Sequence, residues 1–207
     1  MPGLLGKKIG MTQIFTEDGR LVAVTVIEAG PCPILAVKEK SIQLGYDKVE
    51  KISRIKKPLL GYFNKLKISP CKIIREFSRL PTEEYKVGEE LKVDLFKAGD
   101  YVDITGTSIG KGFQGGMKRF NWHGGPKTHG SMSHRRIGSL GSSTTPGRTL
   151  KGHRLPGHMG NVKVTIQNLE VVKVDSQNNL LLVKGAVPGH KNSYLMIRKA
   201  KKKRPKN

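Results

Sequence analysis

Apolar and polar residues alternate along much of this chain in short runs, the pattern of half-buried β-strands. The clearest run is Arg20 to Glu28, nine residues rich in β-branched side chains. It follows Ile9 to Phe15 across Thr16-Glu17-Asp18-Gly19, whose glycine suits a hairpin turn. Further strands are predicted at Ile34 to Val37, Ile42 to Tyr46, Ile73 to Phe77, Leu91 to Leu95 and Tyr101 to Ser108. The series ends with Val162 to Val174, Leu180 to Val183 and Tyr194 to Arg198, and Asp175 to Asn179 reads as a turn. Many short strands joined by turns predict a mainly β protein built on a small antiparallel β-barrel, which leaves no strand edge exposed.

Two segments break the alternation. Residues 47–84 include Lys56-Lys57-Pro58-Leu59-Leu60-Gly61-Tyr62-Phe63-Asn64-Lys65, a predicted short helix in an inserted subdomain. Residues 111–160 hold almost no periodic apolar positions, and a loop of that length is functional or disordered. The expected division is a barrel body from 1–46, 85–110 and 161–198, the insertion, the 111–160 extension, and a basic tail at 199–207. The extension is expected to take shape only on a partner.

Charge says what that partner is. The 207-residue chain carries a formal +22, unevenly spread. Residues 1–103 hold 18 basic and 14 acidic residues, a net of +4, whereas residues 104–207 hold 20 and 2, a net of +18. From Ile104 to Leu169 there is no Asp or Glu at all, yet that stretch has ten Lys and Arg, five of six His and 14 of 25 Gly. A long, flexible, one-signed segment fits a dense polyanion, and nucleic acid is the obvious one. A membrane partner is not expected: no apolar run approaches ~18 residues, the start lacks a secretory h-region, and the basic segment is Gly-rich rather than amphipathic. Cys32 and Cys71 are predicted to be buried thiols of a reducing, cytosolic compartment rather than a disulfide.

Catalytic readings fail on chemistry. Gly106-Thr107-Ser108-Ile109-Gly110-Lys111-Gly112 has three residues between Gly106 and Gly110 where a Walker loop has four, and Gly112 stands where a metal-binding hydroxyl is needed. Gly106 is equally explained as a strand end. The five histidines lie far in sequence from both cysteines, and His153 and His158 sit among cations, so no metal is expected. Ser131 or Ser133 beside His134 has no local acid to orient the imidazole. The chain is therefore expected not to be an enzyme, with no cofactor and no small-molecule substrate. Trp122, the single tryptophan, reads either as a stacking surface for RNA bases or, from its place where the loop begins, as a hydrophobic pin of the loop's root on the barrel.

The run from Phe96 to Arg119 resembles the diagnostic pattern of the large ribosomal subunit protein L3 family: Phe96 and Asp103 seven apart, then Gly106, Ser108, Gly110-Lys111-Gly112, Gly115 and Arg119. The similarity extends to Gly3 through Thr12, Gly138 through Gly141, Thr145 through Arg148, Lys151-Gly152, Gly157 through Gly160, and Leu180 through Gly189; the length looks bacterial. The resemblance implies a translation-factor-like β-barrel with an α-containing insertion and an extension that penetrates large-subunit (23S-type) rRNA. It further implies early subunit assembly, an approach to the peptidyl-transferase centre, and neighbouring ribosomal proteins such as L14 and L19.

The residues expected against rRNA are Lys111, Lys118, Arg119, Trp122, His123, Lys127, His129, His134, Arg135, Arg136, Arg148, Lys151, His153, Arg154, His158 and Lys163. Arg135, Arg136, Arg148, Lys151 and Arg154 are the foremost phosphate contacts. The tip would be Gly141, Ser142, Ser143, Thr144 and Thr145, with Thr144 standing where several relatives carry a methylatable glutamine. The same charge would also serve a nonspecific nucleic-acid-compacting protein, which is the alternative.

Overall fold

The computed structural model describes residues 3–16, 18–78 and 84–203. Glu17 of the hairpin turn, residues 79–83 of the insertion and Arg204 to Asn207 of the tail lie outside the described residues. In chain order the elements are β1 (Gly3–Phe15), β2 (Leu21–Ala29), β3 (Cys32–Val37), β4 (Ser41–Lys48), α1 (Lys57–Leu66), β5 (Cys71–Ser78) and β6 (Glu90–Leu91). There follow β7 (Tyr101–Thr107), β8 (Gly112–Gln114), α2 (Gly116–Phe120), β9 (Gly157–Met159), β10 (Lys163–Asp175), β11 (Leu180–Lys184) and β12 (Tyr194–Lys199). The protein is mainly β, as the alternation predicts. It divides into a body, residues up to 108 and from 163 onward, and an extension of residues 109–162.

Six strands of the body close on themselves in the order β1-β12-β7-β10-β11-β2, and β2 pairs back onto β1. Every pairing is antiparallel, with registers such as Ile104↔Ile197 and Ile27↔Leu181. The period of two explains the filling: in β7, Val102, Ile104 and Gly106 are buried while their neighbours are half-buried or exposed. Leu4, Ile27, Ile104, Leu181, Val183 and Ile197 have no exposed surface. Gly106 is a ring residue whose missing Cβ makes room for Leu195, which would lie 2.7 Å from a Cβ there. It serves packing, not phosphate binding.

The second sheet departs from the sequence reading. Ile34–Val37 and Ile42–Tyr46, expected in the barrel, belong to a separate four-stranded sheet of order β5-β4-β3-β6. The reason is that this sheet buries both faces. Ile34, Ile42, Leu44 and Phe77 join the core that fills the ring, while Leu35 points away into a small cluster with Phe63 and Cys71. Phe63 comes from α1, where Leu59, Tyr62, Phe63 and Leu66 form an apolar stripe at helical spacing. Pro58 in the first turn presets the backbone, and Lys67 in the left-handed region (φ 55°) ends the helix. Burying Phe63 contributes about 2–3 kcal/mol. The insertion is not self-contained, because β5 completes its sheet by pairing with β4. Leu91–Leu95 is also not one strand: β6 has two residues and Val93–Leu95 is a 3-10 turn that buries Val93.

The hairpin forms as expected, Thr16 N–H donating to the Arg20 carbonyl at 2.9 Å. Both thiols are free and buried. The start of the basic tail is tied down on the body, contrary to its polar composition: Ala200 N–H donates to the Tyr101 carbonyl at 2.8 Å, and Lys203 Nζ sits 4.0 Å from the Tyr101 ring centre.

Candidate nucleic-acid interface

The extension is not shapeless, as its composition suggests. Its root is a two-stranded ladder of β8 and β9, with Gly112↔Met159, Phe113↔His158 and Gln114↔Gly157 opposite one another. Only backbone pairing marks it, since Phe113 and His158 are both exposed. Immediately after β8, α2 makes one turn, and Asn121 in the left-handed region (φ 58°) reverses the chain. That reversal lays Trp122 back over Gly116, whose missing Cβ leaves the space the indole's six-membered ring occupies. Trp122 therefore packs within the extension's own root.

Phe120 organises the cations here. Its ring stacks on Trp122 at 6.2 Å between centres, inclined 29°. The guanidiniums of Arg119 and Arg154 lie 5.0 Å and 5.7 Å from the Phe120 ring centre. Arg119 also donates from Nη1 to the Leu155 carbonyl at 2.6 Å, joining the outgoing and returning arms. Arg119 is thus committed structurally, while Arg154 keeps its charge exposed.

Beyond the root, residues 121–156 form no helix or strand but are held by local bonds. Gly125 N–H donates to the His134 carbonyl at 3.2 Å, and His134 Nδ1 lies 2.9 Å from the Pro126 carbonyl. Gly124 needs its positive φ of 76°, and a Cβ there would strike Met117 and the His134 carbonyl. At the tip, Gly147 N–H donates to the Ser143 carbonyl at 3.1 Å and Ser139 Oγ to the Gly141 carbonyl at 3.1 Å. Gly141, Ser142, Ser143, Thr144 and Thr145 are all exposed.

Lys111, Lys118, His123, Lys127, His129, His134, Arg135, Arg136, Arg148, Lys151, His153, Arg154 and His158 are exposed on this one unit; Arg119 and Trp122 are half-buried. Lys163 belongs to the body rather than to this unit, exposed as the first residue of β10, where it lines an open recess with Arg75, His190 and Arg198. The four ion pairs among the described residues all lie in the body. The extension has nine Lys and Arg and no carboxylate, so none of its cations has an acidic partner within the unit. Among the described residues no group of three or more His, Cys, Asp or Glu is gathered closely enough to hold a metal, and no helix is long and apolar enough to cross a membrane.

Sequence reasoning missed Phe120, Ile137 and Ser139. The pair Phe120 and Trp122 flanking Asn121 within Lys118-Arg119-Phe120-Asn121-Trp122 was a visible signal for an aromatic cluster among cations. Ile137 and Ser139 join Trp122, Gly138, Gly152, His153 and Arg154 around an open recess of about 480 Å³, a closure no local pattern announces.

The family model described as Ribosomal protein L3 matches residues 82–179. A protein from Carboxydothermus hydrogenoformans named large ribosomal subunit protein uL3 is 52% identical over 206 residues, covering 97% of this chain and 98% of its own. Proteins of the same name from Alkaliphilus metalliredigens and Brachyspira hyodysenteriae are 53% and 47% identical, covering 95% and 100% of this chain and 96% and 97% of theirs.

Proposed function

This chain belongs to the ribosomal protein L3 family, and on that premise we propose that it is a structural constituent of the large ribosomal subunit that binds large-subunit rRNA directly. The observation that carries the reading is the extension: nine cationic side chains, no carboxylate, and almost every charge exposed. Each phosphate contact releases condensed counterions, so ten such contacts would give a log K against log salt slope near about −9. Arg135, Arg136, Arg148 and Arg154 suit bidentate phosphate pairing, with Lys151 as a point charge. RNA shape, phosphates and 2′-OH groups supply most of the recognition.

The body, a translation-factor-like barrel with its helical insertion, docks early in assembly. The extension from 111 to 160 then threads between RNA helices, its tip from Gly141 to Thr145 reaching toward the peptidyl-transferase centre. Proteins L14 and L19 are its expected neighbours, and its compartment is the cytoplasm. Thr144 leaves no amide to methylate at the tip. The role is architectural rather than enzymatic, in keeping with the family.

The test is a salt titration of the full chain on large-subunit rRNA fragments and on duplex DNA at equal ionic strength. Tighter binding to the rRNA supports the reading. Equal affinities point instead to a nonspecific nucleic-acid-compacting protein.

A further inference from the structure

The recess at the extension's root, framed by Trp122, Ile137, Gly138, Ser139, His153 and Arg154, has a composition the phosphate-neutralising role does not explain. Its volume of about 480 Å³ falls in the ~300–1,000 Å³ range of sites that take small organic groups. A phosphate oxygen has no use for an indole or an isoleucine side chain; a flat heteroaromatic ring does. We propose that this recess receives a single nucleobase turned out of an RNA stack, with phosphates on either side of it held by the exposed cations of the extension. The proposal rests on the RNA-binding reading and adds a ligand, a place and a mode to it.

Three observations carry it. First, the walls are of two kinds: Trp122 and Ile137 are apolar, while Ser139, His153 and Arg154 offer hydroxyl, imidazole and guanidinium groups for a base edge. Unpaired RNA bases are commonly held by aromatic rings and guanidinium planes while their edges are hydrogen-bonded. Second, the walls are braced from behind. The Trp122 ring rests on Gly116 and stacks on Phe120, and Arg154 lies over the same Phe120 ring. A braced surface loses less side-chain freedom when it closes on a ligand. Third, nothing acidic lies anywhere in residues 109–162, so no carboxylate of the extension repels an anionic strand whose base enters the recess. An isolated cationic metabolite is disfavoured by the same charge.

Trp122 is the only tryptophan in the chain, so tryptophan emission, excited selectively over the five tyrosines, reports on this recess. The full chain is titrated with an RNA hairpin carrying one unpaired adenosine, with the same hairpin abasic at that position, and with inorganic polyphosphate. The adenosine hairpin should quench the emission and bind roughly 5- to 100-fold more tightly than the abasic one. The abasic hairpin and polyphosphate should bind in a salt-dependent way, seen by anisotropy or sedimentation, without that quenching. Gly138 lines the recess, has no positive φ, and a Cβ there meets nothing within 4 Å. Gly138→Leu should therefore crowd the recess without a clash at its own Cβ, abolishing the difference between the two hairpins while leaving polyphosphate binding intact.

Equal affinity and equal quenching for adenosine and abasic hairpins overturn the proposal, as does a Gly138→Leu chain that still tells them apart. Either result leaves the RNA-binding reading standing. If neither hairpin binds more tightly than duplex DNA of equal charge, the broader reading falls and takes the recess with it.

Discussion

In the body, Leu4, Ile27, Ile104, Phe63, Leu181 and many other large apolar side chains are buried; among residues 109–162 the one buried residue is Gly116, beneath Trp122. The body pairs exposed charges of both signs, as in Lys38 with Glu76 and Lys184 with Glu170. The extension pairs none, having one sign only. Exposed pairs contribute little, about 0–1 kcal/mol each, so the contrast in stability comes from apolar burial at about 25 cal/mol per Å². One region holds the free energy of folding and the other holds the charge for binding. The two are therefore separable by mutation in both directions.

The harshest attempt to break that separation is to excise residues 125–155. No buried apolar side chain is lost, so the remaining chain should melt cooperatively within a few degrees of the full protein. Its incorporation into large subunits should fail, read by sedimentation of assembling particles. A shortened chain without a cooperative transition would place part of the folding nucleus in the extension.

The opposite attack is Phe63→Ala in the body. Phe63 is fully buried against Leu35 and Cys71, and truncation should cost about 3–5 kcal/mol, measured by chemical denaturation. At a temperature where the variant remains folded, its salt-dependent RNA binding should match that of the parent chain. A weakened slope there would show that body packing and the binding surface are coupled.

These experiments follow a division the sequence already displayed in part. Arg20–Glu28 and its hairpin were legible because one strand, one turn and one partner lie within two dozen residues, and the acid-free run marked the extension directly. Gly3–Gly6 was not legible as strand: Leu4 and Leu5 are both buried, so no alternation shows, and the bulge between Lys8 and Gly10 shifts the register after it. The membership of β3 in the second sheet was hidden for a similar reason, because Ile34 and Leu35 are buried on opposite faces. The pairing of β8 with β9 joins Gln114 to Gly157 through backbone bonds while Phe113 and His158 stay exposed. Hydrophobic pattern carries no information about such a ladder. The cations of the extension were readable from charge alone, though not which of them meet a partner; the recess between Trp122, Ile137 and Arg154 was not, since it depends on where the chain reverses at Asn121.

A finer cut neutralises single charges. Arg148→Gln, at a position exposed in the tip's return arm, should leave the melting temperature unchanged. It should lower the magnitude of the log K against log salt slope by about 1. A smaller change would mean that Arg148 faces solvent in the complex, and a larger one that it organises its neighbours. The same measurement on Lys184→Gln should move the slope less, because its ammonium already lies 3.5 Å from Glu170.

The smallest effect is also the sharpest contrast, and it is read by thiol chemistry. Burial pushes the Cys32 thiol up to about 12 and also raises Cys71. Burial favours the neutral thiol, so this contribution to stability is fully present below the unfolded pKa near ~8.5 and is lost as pH rises toward the folded value of about 12. Near neutral pH a thiol-specific reagent should hardly touch Cys32 until the body unfolds. Ser142→Cys would put a thiol on the exposed tip, where an ordinary pKa gives on the order of 10³-fold more thiolate than at Cys32. Rapid single labelling of that variant, slowed when large-subunit rRNA is added, is the expected outcome. Labelling at Cys32 at a comparable rate would show that the body opens as readily as the extension. Labelling of Ser142→Cys unaffected by rRNA would show a tip that stays in solvent after the cations have bound.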